Sequence, residues 1–76
     1  RRVQDRLYHL LRLLKQEIGQ PVEQGTRFSV RLTHEDLANA CCTTRVTITR
    51  LLSKLQQQNK IIFDAQRHIV LNDENF

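Results

Sequence analysis

The chain is expected to be mainly α-helical with a small β component, built from three helices, one short strand and a C-terminal β-hairpin. Three observations predict it. Apolar residues recur at helical spacing from Val3 to Ile18, the stretch THEDLANACCTTRVTITRLL from Thr33 to Leu52 reads as two short helices broken by a tight polar turn, and two β-rich runs follow it. Two helices that cross closely need a small residue at the contact, a turn just after it, and apolar anchors on the second helix. Ala38, then Cys42 and Thr43, then Ile48 and Leu51 meet those needs in order. This is the outline of a winged helix-turn-helix.

In the first helix Val3, Leu7, Leu10, Leu11, Leu14 and Ile18 fall on one stripe, while Arg6, His9, Arg12, Lys15, Gln16 and Glu17 fall largely elsewhere. Gly19 and Pro21 are expected to stop it. Its arginines (Arg1, Arg2, Arg6, Arg12) and Lys15 also allow a basic amphipathic presequence or membrane-surface helix, but Asp5 and Glu17 interrupt that face.

Gln20 to Gly25 reads as a polar connection, and Phe28, Val30 and Leu32, alternating with Ser29 and Arg31, predict a short strand. Thr33 then opens a helix, with Asp36 completing a capping box and Glu35 and Asp36 suiting the positive end of its dipole. Leu37, Ala38 and Cys41 are expected to face inward. Thr43 or Thr44 caps the next helix, which runs to about Gln58 with Ile48, Leu51, Leu52 and Leu55 buried. Ile61-Ile62-Phe63 and His68-Ile69-Val70-Leu71, joined by Asp64-Ala65-Gln66-Arg67, form the hairpin, or wing. Asn72 to Phe76 reads as a frayed tail.

Seventy-six residues make one domain, residues 1–76, since a chain this short buries only about 60% of the surface it exposes when unfolded. No run of about 18 apolar residues is present to span a membrane. Twelve Lys and Arg against eight Asp and Glu give a net charge of +4, which favours an anionic partner without identifying it. Cys41 and Cys42 are adjacent and cannot form an unstrained disulfide with each other, so a reducing cytoplasm is the simplest setting. The chain starts Arg-Arg and has no Met, which reads as a piece of a longer protein.

With the leucine stripe of the third helix turned inward, its opposite face carries Val46, Thr49, Arg50 and Ser53, and Arg45 sits at its N-terminal end. An arginine can donate two hydrogen bonds to guanine O6 and N7, and a small apolar group can touch a thymine methyl. Arg45 and Arg50 are therefore the candidate guanine readers and Val46 the candidate methyl contact. Thr33, Thr44 and Thr47, short donors near helix starts, together with Lys54 and the wing residues Gln66, Arg67 and His68, are candidates for the phosphate backbone. Each has a bland reading as solvated surface or as a helix cap. Cys41 is expected in the core; Cys42 stands where a turn ordinarily wants glycine. His9, His34 and His68 are too scattered for a metal site, and no cofactor is implied.

The stretch LTHEDLANACCTTRVTITRLLSKLQQQNKI resembles the DNA-binding domain of the Crp/Fnr superfamily of bacterial transcription regulators. The segments VQDRLYHLLRLLKQE, SVRLTHEDLA and IIFDAQRHIVL follow the family order on either side. TRVTITRLL is most similar to the cyanobacterial nitrogen-control branch, in which valine likewise stands at the position of Val46. The resemblance implies base contacts by Arg45, Val46 and Arg50, phosphate contacts by Thr33, Thr44 and Thr47, and an N-terminal sensor and dimerising helix that this chain lacks. It also implies a homodimer in the full-length protein and contact with RNA polymerase. Cys42 departs from the family, which often has glycine there.

The sequence therefore predicts a non-enzymatic, cytoplasmic module that binds double-stranded DNA with the helix of residues 44–58 in the major groove, as part of a dimer reading half-sites about 34 Å apart. The alternative is a winged-helix module that docks on proteins without reading bases. RNA binding would need clustered exposed aromatics, and Tyr8, Phe28, Phe63 and Phe76 are spread along the chain. No paired carboxylates, and no nucleophile with a base, point to catalysis.

Overall fold

The computed structural model describes residues 2–76. Arg1, counted above in the basic face of the first helix, lies outside the described residues. Among these residues the order is α1 (Val3–Ile18), β1 (Gly19–Val22), β2 (Gly25–Phe28), α2 (His34–Ala40), α3 (Arg45–Gln57), β3 (Ile61–Phe63) and β4 (Ile69–Leu71). The strands form one antiparallel sheet in the order β1-β2-β4-β3.

α1 buries Leu7 and Leu11 fully and packs Leu10, Leu14 and Ile18 at the edge of the core, as its stripe predicts. Gly19 does not take a left-handed stop. Its backbone is extended (φ −79°, ψ 139°), so the helix runs directly into a strand while the Gly19 N–H still donates to the Lys15 carbonyl. A Cβ at Gly19 would collide with that same carbonyl oxygen and with the Thr26 methyl.

Here the structure corrects the sequence reading. Residues 20–25 are not a loop, and Phe28 to Leu32 is not a strand: β1 and β2 form a tight hairpin turning at Glu23-Gln24. β1 is an edge strand, the position in a sheet that tolerates Pro21 and its missing N–H. Gly25 closes the turn at φ 143°, where a side chain would meet the Leu71 carbonyl. Phe28 ends β2 inside the core, the Ser29 N–H donates back to Ile18 (2.8 Å), and Val30 stands 48% exposed without a sheet partner.

The capping box at Thr33 is formed: its hydroxyl accepts from the Asp36 N–H (3.0 Å) and its N–H donates to the Asp36 carboxylate (3.1 Å). Thr44, not Thr43, caps α3, accepting from the Thr47 N–H at 3.2 Å. α2 and α3 end in the same way. Thr43 N–H donates to Ala38 and Cys42 N–H to Asn39; Lys60 N–H donates to Leu55 and Asn59 N–H to Gln56. Both are Schellman ends, with Cys42 (φ 56°) and Asn59 (φ 59°) in the left-handed position.

The core gathers Leu7 and Leu11 of α1, Leu37, Ala38 and Cys41 at the α2 end, Ile48, Leu52 and Leu55 of α3, and Phe28, Ile61, Ile69 and Leu71 of the sheet. Leu51 is only half-buried at its edge. Burial of Leu7 and Leu11 against these residues places α1 in the core rather than on a membrane surface.

The segment expected to fray is instead tied down. Thr26 Oγ1 donates to the Asp73 carboxylate (2.9 Å), Lys15 Nζ pairs with it at 3.1 Å, and the side chains of Asn72 and Asn75 both donate to the Asn59 carbonyl. The Thr26 hydroxyl, and then Lys15, hold the Asp73 carboxyl below the usual aspartate value. Phe76 completes the closure, its ring 5.2 Å from that of Tyr8, whose hydroxyl takes a 2.6 Å hydrogen bond from Lys60 Nζ. Two of the aromatics that are far apart in sequence are thus neighbours in space.

Candidate nucleic-acid interface

α3 turns Ile48, Leu52 and Leu55 into the core, and its far side is solvent. Val46, Arg50 and Ser53, spaced four and three apart, form one exposed stripe; Val46 is 62% exposed. Mostly exposed, that valine gives the stripe a small branched apolar contact between charged and polar groups. Arg45 is also exposed but lies about 140° round the axis from Arg50, at 100° per residue. It belongs to a second cluster.

That cluster is a concave surface between α2, α3 and the wing, where Arg31, Thr33, His34, Arg45 and Arg67 meet beside Phe63. Arg45 and Arg67, 22 residues apart, are brought together only by the fold. His34 is held at its centre. The Thr49 hydroxyl donates its single proton to the Arg45 carbonyl (3.0 Å), so at its 2.8 Å contact with His34 Nδ1 it accepts, fixing the proton on Nδ1. Burial, and then the charges of Arg45 and Arg67, lower the His34 pKa from its ordinary 6.5, keeping the ring neutral near pH 7 with its lone pair on Nε2.

The remaining candidates divide. Thr33 is exposed at the rim of the concavity with its capping box formed. Thr44 is exposed and Thr47 half-buried at the α3 start, their hydroxyls hydrogen-bonded to each other at 3.0 Å. Arg67 is exposed in the wing. His68 is half-buried, with Nδ1 2.8 Å from the Phe28 carbonyl, leaving Nε2 as its other polar atom. Lys54 is exposed on the opposite flank of α3, facing Gln4 and Tyr8 of α1, and is not part of the cluster.

His34, Arg31 and Arg27 are the residues that reading the sequence missed. His34 follows the cap Thr33 directly, a signal that was available, but its partner Thr49 lies on another helix. Cys41 is buried as expected: burial raises its thiol pKa, and its carbonyl, at the end of α2, accepts from Arg6 Nε at 3.0 Å. Among the described residues no three His, Cys, Asp or Glu side chains converge to hold a metal, and no helix is long and apolar enough to cross a membrane.

Residues 2–75 match the family model described as Crp-like helix-turn-helix domain. The chain is 37% identical over 67 residues to the global nitrogen regulator of Synechocystis sp. (strain ATCC 27184 / PCC 6803 / Kazusa), covering 88% of this chain and 30% of that protein. It is 38% identical over 64 residues to the regulatory protein CysR of Synechococcus elongatus, covering 80% of this chain and 31% of the relative. Among solved structures, the CO-dependent transcription factor CooA from Carboxydothermus hydrogenoformans in its imidazole-bound form superposes with a TM-score of 0.84 at 28% identity, over 92% of this chain and 32% of that one. The chain spans about a third of the length of these relatives.

Proposed function

The chain belongs to the Crp-like helix-turn-helix family, whose DNA-binding role in transcription regulators it shares, and from that premise we propose that α3 enters the major groove. Arg45 and Arg50 donate to guanine O6 and N7, and Val46 packs on a thymine methyl. Thr33, Thr44, Thr47 and Arg67, with Lys54 and His68 on the flanks, hold the phosphates. Residues 1–76 act as one DNA-binding domain of a longer cytoplasmic regulator, which reads two half-sites as a dimer about 34 Å apart.

One observation carries this reading: Val46, 62% exposed on α3, shares its solvent-facing stripe with Arg50, while Arg45 is exposed at the start of the same helix. Fluorescence anisotropy with duplexes selected from random DNA tests it. Arg45→Ala and Arg50→Ala should each cost about 1–3 kcal/mol of discrimination between cognate and substituted duplexes. Unchanged discrimination in both removes the base-reading role, and binding that is insensitive to salt favours a protein-docking surface.

A further inference from the structure

We infer that Arg27, a sheet residue outside the interface, is the positioning residue that aims the wing's Arg67 at DNA, acting through Asp64; this rests on the DNA-binding reading above. The wing has little backbone pairing of its own, and beyond the ladder the Asp64 N–H donates to the His68 carbonyl at 3.0 Å to close the tip. β3 and β4 pair over three residues each and the ladder ends at Phe63↔Ile69, leaving the tip from Asp64 to His68 beyond the sheet.

Asp64 organises that tip. Its Oδ1 accepts from the N–H groups of Gln66 (3.0 Å) and His68 (2.8 Å), and its carbonyl accepts from the Arg67 N–H (3.0 Å). Both side-chain bonds need the carboxylate to keep one orientation, and a short side chain at a loop's start does not keep it unaided. Arg27 supplies the restraint. Its Nε donates to Asp64 Oδ2 at 2.6 Å and its Nη2 to Gln66 Oε1 at 3.1 Å, so one planar guanidinium grips both the first and third residues of the tip.

The grip is anchored where the sheet is firm. Arg27 pairs with Val70 in the β2-β4 ladder, and the ion pair is three-quarters shielded, the two side chains being 24% and 25% exposed. The Arg27 hydrogen bond, and then the His68 N–H, hold the Asp64 carboxyl below its usual value, so the pair stays ionised through the neutral range. Arg67 meanwhile sits at φ 69°, a left-handed conformation uncommon for a residue other than glycine and kept only where the surroundings enforce it. From there its side chain joins Arg45 and His34 in the concavity.

The test uses the 76-residue chain with Arg27→Gln, Asp64→Asn, Arg67→Ala and the Arg27→Gln/Arg67→Ala pair, each shown folded by its far-ultraviolet circular dichroism. In the free protein, Arg27→Gln should raise amide exchange at Gln66 and His68 and move the Arg67 backbone coupling out of the left-handed range. On DNA, Arg67→Ala should lower the slope of log K against log salt by about 0.9, one phosphate contact. Arg27→Gln should lower it by the same amount, and the double variant no further. Asp64→Asn gives the sharpest contrast, because it makes the protein more positive and yet should weaken binding.

Additive effects of Arg27→Gln and Arg67→Ala, an unmoved wing in Arg27→Gln, a slope unaltered by Arg67→Ala, or tighter binding by Asp64→Asn would each overturn the inference while leaving the α3 reading to its own arginine variants. Absence of salt-dependent binding by the unmodified chain would instead remove the DNA-binding reading, and this inference with it.

Discussion

Thr49 of α3 accepts a 2.8 Å hydrogen bond from His34 at the start of α2, while returning its own proton to the Arg45 carbonyl. One hydroxyl therefore locks the two helices together at the point where the exposed arginines begin. The lock is made with a neutral imidazole, and that gives it a pH dependence.

His34 has a folded-state pKa below its ordinary 6.5. The unfolded chain thus takes up the proton more readily than the folded one, so the contribution to stability is present above pH 6.5 and is lost as the pH falls through the lowered folded value. Thermal melts between pH 8 and 5 should show a steeper fall in Tm for the unmodified chain than for His34→Gln. Parallel curves would show that the ring's protonation is not linked to folding.

Thr33→Ala removes the hydroxyl half of the capping box, leaving the backbone N–H of residue 33 to donate to Asp36, and should cost about 1 kcal/mol in urea denaturation at pH 7. The hydrogen bonds from the backbone and then the side chain of Thr33 depress the Asp36 carboxyl below its ordinary 3.8; the variant loses only the side-chain one, and that part of its contribution is present above pH 3.8 and fades as the pH drops below it. The difference between variant and parent should shrink in acid. A loss that is equal at pH 7 and pH 3 would mean that the threonine acts by another route.

Cys42→Gly should stabilise. An L-residue in the left-handed region costs about 1–2 kcal/mol and glycine returns about 0.5–1 kcal/mol as chain entropy, leaving a net gain of about 0.5–1 kcal/mol. That corresponds to a rise of roughly 2–8 °C in Tm by calorimetry for a domain this size. A lowered Tm would show that the Cys42 side chain makes compensating contacts at the turn.

Val46→Glu should exchange an apolar contact for an acceptor. Selection from random duplexes should move the preferred pair at that position from one carrying a thymine methyl to one offering a cytosine amine, by about 1–3 kcal/mol. Stability should change little, since Val46 is 62% exposed. An unchanged selected sequence would take Val46 out of the groove.

The helices were legible because their stripes, and the caps of α2 and α3, lie in nearby residues: Leu7 and Leu11, Thr33 with Asp36, Thr44 with Thr47, Ile48 with Leu52 and Leu55. The first hairpin was not. Gly19-Gln20-Pro21-Val22 has no strand-like composition, and it is a strand because β2 lies beside it, whereas Val30 and Leu32, which continue the alternation from Phe28, have no strand to pair with. The exposed stripe of Val46, Arg50 and Ser53 followed from helical geometry alone. The concavity did not, since joining Arg45 to Arg67 and His34 to Thr49 depends on how α2, α3 and the wing pack. Arg27 was the least visible, its partner Asp64 lying 37 residues away.

β4 lies between β2 and β3 and buries all three of its residues, though it is the last strand in chain order. A ribosome making this segment therefore exposes β2 and β3 with a vacant lane between them until Leu71 has cleared the exit tunnel. During that interval Phe28 and Ile61 wait in water on either side of the gap. A pause in translation after Ile61 has emerged and before Leu71 has would extend their exposure, and chaperone capture should be strongest there.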